Sequence, residues 1–255
     1  IQIPYPQLKG WSPDPDKSPY AKIDVRDATK SEIDRMIGDW ERMQAYSVRE
    51  SDPGLSALYL RQAGKTLHRR YDAGDRDPRL LAILGLYSVD ANLPDEGRGF
   101  LEAAVAAEVT RPEAYIQLAK LRFLVALEGK PSSHGNLTAD QLARVLNLLF
   151  VARKRWGLAS DGYNLIADAW TASAVRPIPG NLEVLKEGLV LYPFDAALRI
   201  NAAKCYKFWG YDAEANTLVE AGAGIQNFEA LKPATILQAT EYKPTNLGPS
   251  SESKN

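Results

Sequence analysis

The stretch from Pro193 to Gly224 encodes two short helices in succession, and this pairing constrains the fold more than any other feature of the sequence. In the first helix, apolar or small residues recur three to four positions apart, at Leu198, Ala202, Ala203 and Tyr206. Gly210 ends this helix, and Asp212 is a candidate cap for the next. The second helix has the same spacing at Ala215, Leu218, Val219 and Gly222. Because each apolar stripe is narrow, the pair cannot bury it alone and needs similar pairs beside it.

A similar motif occurs three more times upstream, which predicts an array of helix pairs. The upstream copies are Leu81-x2-Leu84-Gly85, Tyr115-x2-Leu118-Ala119 and Tyr163-x2-Ile166-Ala167-x2-Trp170. Successive copies, up to the one that ends the series at Ala202-Ala203, are 34, 48 and 36 residues apart. The long interval contains EGKPSSHGN, residues 128–136, and we interpret it as one repeat with an inserted loop.

The last copy resembles a tetratricopeptide repeat. That family's pattern has an aromatic residue, a Leu-Gly pair and a Tyr, followed by an Ala, a second aromatic residue and a closing Pro. The spacing is matched here by Arg199-x2-Ala202-Ala203-x2-Tyr206 and by Ala215-x3-Val219. Arg199 and Val219 stand where the family has aromatic residues, and Pro193 fits as the closing Pro of the preceding unit. The resemblance implies an α-α superhelix whose concave face, lined by the first helix of each pair, binds an extended peptide or a partner helix.

We therefore predict an all-α fold, a tetratricopeptide-like (TPR-like) helical repeat array of about ten to eleven helices over residues 27–242. The first helix starts after Thr29, because Thr29 and Glu32 have the spacing of a capping box. Its apolar face consists of Ile33, Met36, Ile37, Trp40 and Met43. The second helix runs from about Pro53 to Arg70, with a stripe at Leu55, Leu58, Tyr59, Ala63 and Leu67. A long helix is predicted over 138–155, and a capping helix follows Gly224.

The two ends of the chain are not predicted to belong to the array. Residues 1–26 contain five prolines, which favour extended backbone, and their apolar side chains include Tyr5, Leu8, Trp11 and Tyr20. We expect this segment to be a strap that lies on the helical body, and a linker from an upstream domain is the alternative. Residues 243–255 are expected to form a disordered tail.

Residues that could support catalysis or bind a metal ion are scarce. The two histidines, His68 and His134, lie on different elements, and the single Cys205 excludes an internal disulfide framework. The Ser-His sequence in the loop 128–136 lacks a fixed base and an oxyanion hole. The acidic residues in 72–77 do not have the spacing of a calcium-binding loop, and Asp77 is a better candidate for a helix cap. We predict no catalytic residue, no metal and no cofactor.

Charge and hydropathy limit the classes of partner. The formal net charge is −1, which argues against non-specific nucleic-acid binding. The basic run 152–156 is expected to be a solvated helix end, with a local patch for an acidic partner as the alternative. No apolar run approaches the roughly 20 residues that span a bilayer, so we expect a soluble chain without membrane insertion. The sequence leaves the compartment and the oligomeric state open.

These observations predict a non-catalytic scaffold that binds a protein or peptide of unknown identity. The polar residues expected to face the groove are Gln117, Lys120, Asn164, Asp168, Asn201, Lys204 and Lys207, with Phe208 near the end. In the tetratricopeptide family a mixed Asn, Lys and Arg set can clamp a peptide carboxylate, and only Asn201 and Lys204 match it loosely. One alternative is an accessory or regulatory domain of a larger, for example bacterial and exported, enzyme, because the chain starts at Ile1 rather than Met. Another is an α/α enzyme, which would need a deep polar cavity.

Overall fold

A computed structural model describes residues 29–128 and 136–222, and these residues form ten α-helices. In chain order the helices are α1 (Lys30–Ser47), α2 (Pro53–Asp72), α3 (Pro78–Asp90), α4 (Pro94–Ala106), α5 (Pro112–Leu127), α6 (Ala139–Trp156), α7 (Ser160–Ala172), α8 (Pro179–Leu191), α9 (Ala196–Phe208) and α10 (Asp212–Gly222). These two ranges contain no strand, only an isolated bridge that pairs Leu137 with Ser173. The prediction of an all-α, TPR-like helical repeat is confirmed.

Several predictions concern residues outside the described ranges. They are the strap at 1–26, the central part of the inserted loop with His134, the capping helix after Gly224 and the tail at 243–255. The described helices divide into two compact units, one that ends at Ala103 and one that starts at Ala104.

Local capping explains where several helices begin. At α1 the Glu32 backbone N–H donates to Thr29 Oγ1 at 3.3 Å, and the Thr29 N–H donates to the Glu32 carboxylate at 2.9 Å. Thr138 forms the same kind of box at α6, and Asp77 accepts a backbone hydrogen bond of 2.7 Å at the start of α3. The predicted caps at Thr29 and Asp77 are confirmed, and they are local enough to be identified from spacing alone.

The second unit contains three helix pairs, α5–α6, α7–α8 and α9–α10. Their first helices form one layer, because α5 packs against α7 and α7 packs against α9. The motif residues that are buried in this unit include Tyr115, Leu118, Tyr163, Ile166, Ala202 and Ala203. The Tyr206 hydroxyl donates to the Leu182 carbonyl at 3.2 Å and so links α9 to α8. The motif therefore marks the core of the repeats, as predicted.

In the first unit, α3 and α4 cross where both helices carry a glycine. A Cβ atom added to Gly85 would lie 2.5 Å from Leu101 Cγ and 3.0 Å from the Gly97 carbonyl oxygen. A Cβ atom on Gly97 would lie 2.9 Å from the Gly85 carbonyl oxygen. The two backbones approach this closely only because neither residue has a side chain.

The apolar face of α1 is not buried, contrary to the usual expectation for such a stripe. Met36 is 63% exposed, and Trp40 and Met43 are each 54% exposed. The buried residues of α1 are instead Asp34, Arg35, Gly38 and Ala45. The physical reason is that the polar side of α1 forms ion pairs with the neighbouring helices, as between Arg35 and Asp77 at 2.9 Å.

Replacing Gly85 with Ala should destabilise the first unit, because the new methyl group would collide with Leu101 and with backbone. We expect Gly85→Ala to lower the free energy of unfolding by roughly 1–3 kcal/mol, the usual effect of overpacking. Gly99→Ala on α4 is the matched control, because no atom lies within 4 Å of its added Cβ. The control should raise stability by up to about 1 kcal/mol through helix propensity. Urea unfolding measures both, and equal effects of the two substitutions would contradict the close approach.

A carboxylate in the second unit connects three helices. Glu187 of α8 accepts hydrogen bonds from Arg153 of α6 and from the Tyr163 hydroxyl of α7, the latter at 2.6 Å. The bonds from Arg153 and then from Tyr163 lower the pKa of Glu187 to about 2. Burial is the main reason that the pKa of Tyr163 is raised, and the Glu187 hydrogen bond adds to it.

Acid should weaken this connection. Because the pKa of Glu187 is lower in the folded chain than in the unfolded chain, its contribution is complete above about pH 5 and is lost as the pH falls toward 2. We expect Glu187→Gln to reduce stability at pH 7 by about 0.5–1 kcal/mol, since solvent screens a partly exposed pair. The difference from the parent chain should vanish in urea titrations near pH 2. Glu183→Gln on the same helix is the control, and a pH-independent loss in Glu187→Gln would contradict the prediction.

Candidate functional site

The predicted binding residues all lie on the layer of first helices in the second unit. Gln117 and Lys120 are on α5, Asn164 and Asp168 are on α7, and Asn201, Lys204, Lys207 and Phe208 are on α9. Each of them is exposed or half-buried, whereas the small and apolar motif residues beside them are buried. This follows from helix geometry, because residues three or four positions apart share one face.

Two asparagines join α7 to α9 on this layer. The Asn201 side chain donates from Nδ2 to Asn164 Oδ1 at 2.9 Å, although the two residues are 37 positions apart. Asn164 Nδ2 in turn donates to the Ser160 carbonyl at 3.2 Å. Each side-chain amide carries two N–H groups, so each asparagine has a second proton beyond these bonds. The pair thus presents amide hydrogen-bonding groups at the junction of two helices.

A pair of opposite charges lies beside the asparagines. Asp168 keeps more than a third of its accessible surface, yet the surrounding protein desolvates its carboxyl group and raises its pKa. The positive charge of Lys204 on α9 acts in the opposite direction and lowers that pKa. The side chain thus stays accessible, although neighbouring atoms displace part of the water around its carboxyl group. A ligand could therefore reach Asp168 while being partly shielded from water.

The remaining predicted residues have other surroundings. Lys207 Nζ donates to Asp212 Oδ1 at 2.6 Å, at the point where α10 begins. The ring of Phe208 packs edge-on against Trp209, with centroids 4.9 Å apart. These two residues thus lie at the junction of α9 and α10, while Gln117 and Lys120 lie on the neighbouring helix α5.

Cys205 and Thr171 are neighbours of Asp168. Cys205 is fully buried, and burial raises the pKa of its thiol to about 12. The Thr171 hydroxyl donates to the Ala167 carbonyl at 2.8 Å and also interacts with the thiol. Sequence reasoning did not identify Thr171 as a neighbour of the candidate site. Its position one turn after Asp168 on α7 is the signal that would have placed it there.

The basic run at the end of α6 does not form an uncompensated patch. Arg155 pairs with Glu108 at 2.9 Å, and Arg153 pairs with Glu187. The alternative of a basic surface for an acidic partner is therefore weakened, because two of the three charges in this run already have carboxylate partners.

A shallow pocket in the first unit lies near the turn between α1 and α2. Its lining includes Arg42, Tyr46, Arg49, Ser56 and Asp90. Arg42 donates to Asp90 at 2.9 Å and lies 3.4 Å from Asp39, so its charge is already compensated. The pocket therefore offers a weaker case for ligand binding than the α7–α9 junction.

Residues 29–128 and 136–222 contain neither a metal-binding cluster nor a helix that could span a membrane. Within these ranges there is no group of three or more His, Cys, Asp or Glu side chains that could hold a metal ion. None of the helices in the same ranges combines the length and the hydropathy needed to cross a bilayer. Two of the acidic residues considered for calcium have structural partners: Asp75 accepts from Arg70 and from the backbone of Asp77, and Asp77 pairs with Arg35.

The fold and the first-helix layer define a TPR-like helical repeat. No protein-family model matches the chain, and no curated protein is significantly similar to it. Two solved structures are similar: MamA AMB-1, with 78% of this chain and 97% of that chain covered, and a MamA mutant, with 79% and 97% covered. Both are 16% identical to this chain with a TM-score of 0.50. MamA is a TPR-like helical repeat protein, and at this identity the likeness shows the fold alone.

Neutralising Asp168 should stabilise the chain at pH 7. Because desolvation raises its pKa on folding, stability falls as the pH rises through the interval between the unfolded and folded pKa values. We expect Asp168→Asn to add up to about 1 kcal/mol at pH 7, after allowance for the exposure of the carboxyl group. The gain should disappear below about pH 4, where the carboxyl is protonated in both states.

Urea unfolding at a series of pH values measures this effect. Asp161→Asn, in the first turn of α7, is the control with the opposite sign, because a negative charge is favourable at a helix N-terminus. A loss of stability in Asp168→Asn at pH 7 would show that the carboxylate supports the fold instead.

Proposed function

We propose that this chain is a non-catalytic scaffold that binds an extended peptide across α5, α7 and α9. The observation that carries the proposal is the Asn201–Asn164 hydrogen bond of 2.9 Å, which places two amides beside Asp168 and Lys204 on an accessible layer. An extended peptide repeats backbone N–H and C=O groups along its length, and side-chain amides can both donate to and accept from them. The Asn164–Asn201 pair is suited to recognise backbone without regard to sequence.

The charged pair would then supply specificity. Asp168 favours an amine or an N–H donor, and Lys204 favours a carboxylate from a side chain or a chain terminus. The raised pKa of Asp168 supports this role, because a cationic ligand would restore favourable interactions to a desolvated carboxylate. We therefore infer that the preferred peptide contains both an acidic and a basic group. Gln117 and Lys120 on α5 would extend the surface along the peptide.

The alternatives receive less support. The comparisons give none to an accessory domain of a larger enzyme. An α/α enzyme needs a deep polar cavity with a pair of perturbed acids, whereas Asp168 lies on an accessible layer and its charged neighbour is Lys204 rather than a second acid. A binding role needs only an accessible surface with oriented polar groups, and the α7–α9 junction provides it.

Selection from a random peptide library against the purified full chain tests the proposal. Enriched peptides would be labelled, and their affinities measured by fluorescence anisotropy. We expect Asn201→Ala and Lys204→Glu each to weaken binding by at least about tenfold, equivalent to about 1.4 kcal/mol. Lys186→Glu on α8 is the matched control, because Lys186 is an exposed lysine that pairs within its own helix with Glu183.

The measurements distinguish a loss of peptide binding from a loss of the fold. Circular dichroism would verify that each variant keeps its helical content. If no peptide is enriched, or if enriched peptides bind all variants equally well, the α7–α9 junction is not a peptide-binding surface.

A further inference from the structure

The α1 helix presents an apolar stripe that the described residues do not cover. We define the α1 stripe as Ile33, Met36, Ile37, Trp40 and Met43, which are between 39% and 63% exposed. Their spacing places them on one face of the helix, and the Trp40 ring meets Tyr59 of α2 edge-on at its border, with centroids 6.0 Å apart. A continuous exposed apolar face on a single helix marks a surface that another element covers.

The orientation of α1 is fixed by its polar side. Arg35 pairs with Asp77 and Arg42 pairs with Asp90, both at 2.9 Å. Asp34 lies 3.0 Å from Arg69 of α2 and forms a third ion pair. Rotation of α1 to bury its stripe would break all three pairs and leave buried charges without partners.

Close packing on the same side adds to this constraint. A Cβ atom on Gly38 would lie 2.6 Å from Leu67 Cδ2, so α1 approaches α2 through its glycine. The Ser56 hydroxyl of α2 donates to the Ala45 carbonyl at 2.7 Å. Ion pairs and close packing thus occupy the inward face of α1, so the stripe lies on the outward face.

We propose that the N-terminal segment, residues 1–28, docks on the α1 stripe. The segment joins α1 at Thr29, four residues before the stripe begins at Ile33. The stripe runs from Ile33 to Met43, ten steps along the helix, or about 15 Å at 1.5 Å per residue. Extended chain advances about 3.3 Å per residue, so five residues would span the stripe and the segment is long enough to fold back along it.

The composition of the N-terminal segment fits an apolar surface. Its large apolar side chains include Tyr5, Leu8, Trp11, Tyr20, Ile23 and Val25. Its prolines favour extended backbone, which can lie along a helix without an ordered helix of its own. Four basic and four acidic side chains balance, so no net side-chain charge opposes burial against apolar side chains. The segment has the size, the side chains and the attachment point that the stripe requires.

The area of the stripe favours this intramolecular occupant over a second copy of the chain. From its residue types and exposed fractions, the stripe offers on the order of 500 Å², below the roughly 800 Å² that each partner of a stable complex buries. A tethered segment needs less area, because its effective concentration at the stripe is high.

Methionine oxidation by hydrogen peroxide tests the docking in the full chain. The chain contains only two methionines, Met36 and Met43, and both lie in the α1 stripe, so each added oxygen on methionine reports on this surface. We compare the parent chain with a Trp11→Ser, Tyr20→Ser double variant by mass spectrometry of the intact protein and its peptides. Oxidation should be at least about tenfold slower in the parent chain, because a docked segment excludes peroxide from both sulfurs for most of the time. Phe194→Ser, which replaces an apolar residue that is 89% exposed in the second unit, should not change the rate.

Two results would overturn the proposal. One is oxidation of the parent chain as fast as in urea-unfolded protein, unchanged by the double variant. The other is protection that increases with protein concentration and persists in the double variant, which would identify a second copy as the occupant. The readout does not involve α5, α7 or α9, so it is independent of peptide binding.

Discussion

Close helix approach at residues with small side chains is the constraint on which the rest of the structure depends. Gly85 and Gly97 bring α3 and α4 together, and a Cβ atom on Gly188 of α8 would lie 2.6 Å from Tyr163 Cγ on α7. Because Tyr163 lies against Gly188, its hydroxyl is placed next to Glu187 and completes the hydrogen bonds that join α6, α7 and α8. Close packing of α7 against α8 thus determines where this hydrogen-bonded carboxylate lies.

The helix pairs could be predicted from the sequence because the signals that define them are local. The Thr29 and Thr138 capping boxes, proline in the first helical turn and the recurring large-small motif each involve residues within one or two turns of one another. The position of α1 depends on residues much further along the chain. Arg35 and Arg42 find their acidic partners 42 and 48 residues away. Periodicity therefore located the apolar stripe of α1 correctly, but it could not reveal that ion pairs keep this stripe outside the core.

The candidate site shows the same limit. Helical spacing predicted that Asn164 and Asp168 share one face of α7 and that Asn201 and Lys204 share one face of α9. The hydrogen bond between the asparagines depends on the register of α7 against α9. That register is fixed by contacts such as the hydrogen bond of 3.0 Å from Trp209 Nε1 to the Trp170 carbonyl. No spacing rule within one helix contains this information.

Two carboxylates in the second unit have opposite relationships to stability. Glu187 has a lowered pKa because Arg153 and Tyr163 stabilise its charge, so it contributes to the fold at neutral pH. Asp168 has a raised pKa because desolvation outweighs the influence of Lys204, so its charge opposes folding. A carboxylate that weakens the fold while it stays accessible is compatible with the proposed peptide-binding surface. This contrast, more than the resemblance of the fold to known repeats, supports a binding role for the α7–α9 junction.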